Sequence, residues 1–485
     1  MLMSSRSGAL EAGACPLHGQ PPIHPEPASD RAPLLTRVLR GLYSWLEIPV
    51  AYNYESYGAT DRLLGVDLAL VSDPKEVRAI KVDRFEHYPK HPLLAWTLAP
   101  LIGQAIFSVN GATWVQQRLL LDQALKRAQL RRVCGSMQGA VEDWLRPLVP
   151  LADGRSLEIQ ESITAVTADV ILRTILSRPL EPREGKPVFA AFVRYQRKAA
   201  RAGLLRLVGV PSQLLSRGLA RQAAPIRGWI DRCVGERLAA DPASRPRDVL
   251  QALMDAVDPH SGARFDRQAL VDQVCFLFLA GHETSASSLA MAVYLLAQYP
   301  DVQQRLREAV DAALLCRAAP PDATLAFEDL RRLEYGEAIF NEVLRLYPPV
   351  SFLFHARQEV PDSGPPGPAK PGRCPMASLL VISPWVVHRH RHHWSHPDCF
   401  NPDRFHAATA SSHDRQMARE AFLPFGMGPR QCPGAGFARQ EALLVLGELV
   451  RRFVVHPDPD HRPALVGRLT LRSRNGIRVR LTPRC

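Results

Sequence analysis

The residues best able to do chemistry lie in one dense run near the C-terminal end, Phe422-Leu-Pro-Phe-Gly-Met-Gly-Pro-Arg-Gln-Cys-Pro-Gly-Ala-Gly-Phe-Ala438. The run ends against a strongly apolar stretch, Glu441 to Phe453, that reads as a helix. Cys432 therefore stands at the mouth of a helix N-terminus, where the dipole and the free amides favour a thiolate over a thiol. Pro433 has no N–H, so Gly434 and Ala435 are the amide donors expected at the sulfur. Gly426, Gly428 and Gly434 let the backbone turn tightly and come close to a flat ligand. Phe425 is placed to shield one side of such a ligand. Arg430, two residues from the cysteine, is placed to meet an anionic group. A soft anionic donor, a flat neighbour and a cation for carboxylates together describe a thiolate-ligated haem.

A second run, Phe276-Leu-Phe-Leu-Ala-Gly-His-Glu-Thr-Ser285, falls inside a long apolar helical pattern from Asp266 to Gln298. Burying an unpaired carboxylate is costly, so Glu283 beside Thr284 at the centre of such a helix points to proton handling. Ala280 and Gly281 are small and are expected to open a groove for a bound gas molecule. His282 is expected to pack away from that groove. Glu342 and Arg345 are three apart and share a helix face just before Tyr347-Pro-Pro349. Trp114 and Arg118, four apart, share another.

The spacing Phe-x-x-Gly-x-Arg-x-Cys-x-Gly resembles the haem-binding loop of the cytochrome P-450 family of haem-thiolate monooxygenases. Ala280-Gly-His-Glu-Thr284 resembles that family's oxygen-activation motif, and Glu342, Arg345 and Arg404 resemble its buried Glu–Arg–Arg cluster. The resemblance implies a mainly α fold with a smaller β portion, a single large haem domain. It makes Cys432 the iron ligand of haem b (iron protoporphyrin IX), with Ala280, Gly281, Phe425, Arg430 and Gly434 around the cofactor. It makes Trp114, Arg118 and Arg357 propionate partners, and Thr284 and Glu283 the catalytic pair that delivers protons during O2 activation. It further implies two electrons from NAD(P)H, passed through a ferredoxin and its reductase or a flavoprotein. One oxygen atom then enters a lipophilic substrate such as a fatty acid, a terpenoid or a steroid-like molecule. Apolar residues at Leu93, Leu94, Trp96, Leu98, Leu101, Ile102, Leu204, Leu205, Val350 and Phe352 would line its access region. The competing readings are a haem-thiolate peroxygenase or isomerase, and a non-enzymatic haem-binding sensor. The intact Glu283–Thr284 pair weighs against the first, and the oxygen groove against the second.

The elements that must position these groups are mostly helical. Helices are expected at Leu34–Leu46, Ala124–Leu145, Val188–Leu204, Ala223–Ala240, Asp266–Gln298 and Val302–Leu314, with a loop at 207–212. Short sheet is expected at Leu63–Ser72, a strand at Ser378–Trp385 and a closing hairpin at Leu469–Leu481. Residues 1–30 read as a Pro-rich arm before a domain spanning 31–485. The Pro/Gly stretch 361–375 cannot be regular structure. His388 to Trp394 reads as a solvated turn, not a metal site.

Composition narrows the class. At 485 residues and 46% hydrophobic, the chain can bury a large core, and no run approaches the roughly 18 apolar residues of a membrane helix. The start lacks the pattern of a signal peptide, which points to a cytoplasmic protein, expected to be monomeric. Nine cysteines without a CxxC pair argue against a disulfide frame. The net charge of +12 is dispersed, which disfavours nucleic acid. Lys126, Arg127, Arg131, Arg132 and Arg430 are expected to form a basic face that steers an acidic electron donor.

Overall fold

The computed structural model describes residues 21–484 except 64–65, 126, 180–181, 208, 319, 321–322 and 358–377. The 361–375 stretch thus lies outside the described residues. Six helices position the site: α1 (Gly111–Ala124), α2 (Gln160–Leu176), α3 (Pro182–Leu207), α4 (Arg267–Gln298), α5 (Glu334–Leu346) and α6 (Ala435–Arg452). The strands are β1 (Gly58–Leu63), β2 (Val66–Val71), β3 (Ser156–Glu158), β4 (Leu353–His355), β5 (Ser378–Ile382), β6 (Phe453–Pro457), β7 (Leu465–Gly467), β8 (Leu471–Ser473) and β9 (Arg478–Pro483). Among the described residues they form a mixed sheet in the order β1-β2-β5-β4, an antiparallel sheet β3-β9-β6 and the hairpin β7-β8.

Helix α4 is apolar on nearly every face, so it runs through the centre of the molecule. Asp266 starts it, its side chain accepting the Ala269 N–H at 2.7 Å. Its closest approach is to α2. A Cβ added at Gly281 would lie 2.6 Å from Cδ1 of Ile171, so the missing side chain is what lets the two helices pack.

Helix α5 carries the charged knot expected from the sequence. Glu342 and Arg345 are fully buried and paired at 2.7 Å. Arg345 also donates to the carbonyls of His388, Pro397 and Cys399. Glu342 accepts the Asn401 N–H at 2.9 Å and faces Arg404 Nε at 3.5 Å. The pair stitches α5 to the irregular segment that leads into the cysteine loop.

Three expectations are corrected. The strand at 378–385 stops at Ile382, because Pro384 opens a short helix, Pro384–Val387, capped by Ser383. The 469–481 segment is not one hairpin. β8 pairs with β7, whereas β9 leaves to join β3 and β6. The 388–394 segment is not a solvated turn. His388, His390 and His393 are buried, and the rings of His390 and His393 stack at 4.1 Å. His390 and His393 donate to the carbonyls of Ser56 and Ser72, and His388 Nε2 accepts the Leu423 N–H at 2.8 Å. Backbone partners, invisible in the local sequence, replace water. Among the described residues no cluster is arranged to hold a metal ion. Of the arm, residues 21–30 are described, and Ala28 bridges to Val50.

Two measurements follow. Glu342→Ala would leave Arg345 charged, buried and unpaired, so it should cost about 3–5 kcal/mol of stability, read from denaturant midpoints. Burial, with Arg345 and Arg389, holds His388 down at about 3, and burial, with His393, holds His390 at about 4, both below the ordinary 6.5. Below pH 6.5 the unfolded chain takes up protons that the native one refuses. Stability should therefore fall as pH drops from 6.5 towards 4, and His390→Gln should flatten that slope.

Candidate active site

The cysteine loop is built by close backbone approach. Gly426 and Gly428 have φ of +72° and +70°, a region that side chains avoid. A Cβ at Gly428 would lie 2.3 Å from the Lys81 carbonyl oxygen, so the loop rests directly on the 79–83 turn. The Cys432 N–H donates to the Phe425 carbonyl at 2.8 Å, which closes the loop and leaves the thiol at the start of α6. Cys432 keeps exposed surface, but the protein packed around it strips away water and pushes the thiol up. The Gly434 N–H, Arg118 and Arg439 pull it back down. Phe425 packs on the main core under the guanidinium of Arg439, 5.0 Å from its ring centroid.

Arg430 turns inward. It donates to the carbonyls of Phe85 and Tyr88 at 3.0 and 2.7 Å and lies over the rings of Phe85 and Trp114. It therefore does not belong to an outer docking face. Arg131, which does lie outside, pairs with Glu328 at 2.5 Å. Lys126 lies outside the described residues, as does the side chain of Arg127. Arg118 joins α1 to the cysteine loop, held by Asp122 at 2.8 Å and donating to the Gln431 carbonyl at 2.6 Å.

Around Arg430 stand three cationic or ionisable groups that the sequence reading missed. Burial and then the charge of Arg430 lower Lys81 to about 8 and Lys90 to about 7, with Lys81 adding to the effect at Lys90. His355 is held well below its ordinary value by burial and then by Lys81, Arg430 and Lys90. His355 Nε2 and Arg430 Nε are buried without a hydrogen-bond partner. The cations of this set, Arg430, Lys81 and Lys90, are stabilised by buried anions. The two carboxylates of a haem fit it, and a thiol beside a helix start fits the iron. Arg357, expected here, is exposed. It shares the parity of His355, but β4 ends at His355 and the chain leaves the sheet before Arg357. Lys81 and Lys90 could not have been singled out, because only tertiary folding brings them to residues 355 and 430.

On α4, Leu277, Ala280, Gly281 and Thr284 are half-buried whereas most of the helix is fully buried. Their spacing of three and four puts them on one stripe. Thr284 Oγ1 donates to the Ala280 carbonyl at 2.6 Å. Ala280 lies on this stripe. Gly281 also lies on the stripe, and its missing side chain makes room for Ile171. Glu283 is buried and accepts from Thr470 Oγ1 at 3.3 Å, so it looks towards hairpin β7–β8. His282 stacks on Phe278 with its Nδ1 against the Phe278 carbonyl, the packing role expected of it.

The cytochrome P450 family model matches residues 52–476. The chain is 30% identical to cytochrome P450 4A7 of Oryctolagus cuniculus over 442 residues, 86% of this chain and 82% of that protein. It is 30% identical to cyclooctatin synthase of Streptomyces melanosporofaciens over 367 residues, 74% of each chain. The cyanobacterial CYP120A1 with retinoic acid bound superposes with a TM-score of 0.72 at 23% identity, covering 88% of this chain and 92% of that one. The chain belongs to the cytochrome P450 family, a haem-iron monooxygenase of mainly helical fold. No described helix is long and apolar enough to cross a membrane.

If the cation cluster holds the propionates, Lys81→Met with Lys90→Met should weaken haem retention severalfold. Haem content and the rate of haem loss of the purified protein would check this, and unchanged retention would refute it.

Proposed function

We propose that the chain inserts one oxygen atom from O2 into a lipophilic substrate, using two electrons brought from NAD(P)H by a separate partner. The observation that carries this reading is that two helices in contact carry a thiol at the start of α6 and a threonine on the accessible stripe of α4. Haem bound through Cys432 supplies the oxygen-activating chemistry.

The protein's own residues do the rest. Gly434 N–H, Arg118 and Arg439 favour the charged sulfur. Arg430, with Lys81 and Lys90, would neutralise the cofactor's carboxylates and fix its orientation, with His355 beside them. Trp114 packs at that edge, in contact with Phe85. Thr284 holds a proton at Oγ1, which it can turn from the Ala280 carbonyl towards the stripe. Glu283 passes protons inwards from the hairpin side, where it already shares one with Thr470. Apolar side chains from 92–110 and the Trp45–Leu204 cluster exclude water and favour a lipophilic substrate. A ferredoxin with its reductase or a flavoprotein would be that partner. A peroxygenase would have no use for the Glu283–Thr284 pair.

Two variants separate the parts of this reading. Cys432→Ser should abolish the thiolate-type absorption band of the reduced carbon monoxide complex, and its persistence would remove the central assignment. Thr284→Ala should keep that band but divert most reducing equivalents into hydrogen peroxide. Peroxide yield per NAD(P)H consumed measures this, and unchanged coupling would exclude the proposed role.

A further inference from the structure

Hairpin β7–β8 and the turn within it sort their side chains by parity. Leu469 packs against the cluster of Trp45, Ala200 and Leu204, and Leu471 and Ser473 are buried. Arg468, Thr470, Arg472 and Arg474 all line one cavity of about 350 Å³. Across it stand Arg197 and Arg201, four apart and so on one face of α3. Five guanidinium groups thus share one small space, and among the described residues none of them forms an ion pair. Burial, followed by repulsion from Arg197 and Arg201, holds the half-buried Arg468 below its ordinary value. One carboxylate, Glu283, borders the hairpin through Thr470. A second cavity, of about 330 Å³, adjoins through Arg201 and is otherwise lined by Leu39, Leu42, Tyr43 and Leu205.

Like charges brought this close repel, and only a ligand of opposite charge turns the arrangement into a gain. A single carboxylate would balance a small part of five positive charges. Arginine forks match phosphate and paired carboxylate oxygens in geometry as well as charge. The apolar wall next to them suits a hydrocarbon chain.

We propose that the five-arginine cavity binds the head of the substrate, a lipophile whose polar end carries two or more negative charges, as in a phosphate ester or a dicarboxylate. This deepens the monooxygenase reading and rests on it for the fate of the tail. The binding itself belongs to the cavity and is tested without turnover.

The test is calorimetric titration of the haem-loaded protein with monomeric dodecyl phosphate, dodecylmalonate, dodecanoate and dodecanol. At least one doubly charged amphiphile should bind about ten-fold or more tighter than dodecanol, with dodecanoate between them. Whichever of the two binds tighter identifies the head. The pair Arg468→Gln and Arg472→Gln should lose about ten-fold in that affinity and leave dodecanol within about two-fold. Arg197→Gln with Arg201→Gln, on the exposed face of α3, should do the same. The thiolate-type carbon monoxide band of each variant shows that it is folded. Equal affinity for dodecanol, unchanged affinity in both variants, or binding to phosphatidate vesicles but not to monomeric dodecyl phosphate would each overturn the proposal. A protein that keeps the thiolate band but fails these titrations refutes the head site alone. One that lacks the band refutes the oxygenase roles, while the titrations still decide the cavity.

Discussion

Much of the structure hangs on the Glu342 carboxylate, which sits with Arg345 where water does not reach. Neither charge can be left alone there, so each must collect every partner its geometry allows. Arg345 reaches three carbonyls of the irregular segment at 388–399, and Glu342 takes an amide from residue 401. A segment with little regular structure of its own is thereby held as firmly as a helix. The buried histidines and Trp394 pack into the same framework, and the cysteine loop follows from it. The thiol is positioned by a chain of polar contacts that begins on another helix.

Charge is then used in two opposite ways. Along the core, cations are paired, as in Arg237–Asp248 and Arg227–Asp272. At the edge of the cysteine loop and around hairpin β7–β8 they are gathered with fewer carboxylates than cations among the described residues. A net charge of +12 looks dispersed in the sequence. In the fold, part of it is concentrated at two places where a bound anion would complete the electrostatics. The excess of positive charge therefore bears on what the protein holds as well as on what docks to it.

Local signals carried most of the fold and pointed to the candidate centre. Cys432, its glycines and the Glu283–Thr284 pair were legible because spacing within one loop or one helix defines them. Helices α3 and α4 were legible because their apolar periodicity is long. The failures share a cause. His388, His390 and His393 looked solvated because their partners, Leu423, Ser56 and Ser72, are remote in sequence. Arg357 was expected at the site and His355 was not, because nothing in the sequence marks where β4 releases the chain. Lys81 and Lys90 carry no pattern at all. Gly281 was legible as small but not as small for the sake of Ile171.

That last contact has a consequence for changing the protein. The clash a side chain at 281 would make is with the tip of Ile171, a movable group, and not with backbone. Tolerance at 281 is therefore decided at 171, on a different helix that shares no part of the recognisable motif. A shorter residue at 171 acts as a permissive substitution, opening sequence space on α4 that is closed in its absence. Libraries that vary residues 280–284 alone would sample a landscape whose key coordinate has been held fixed.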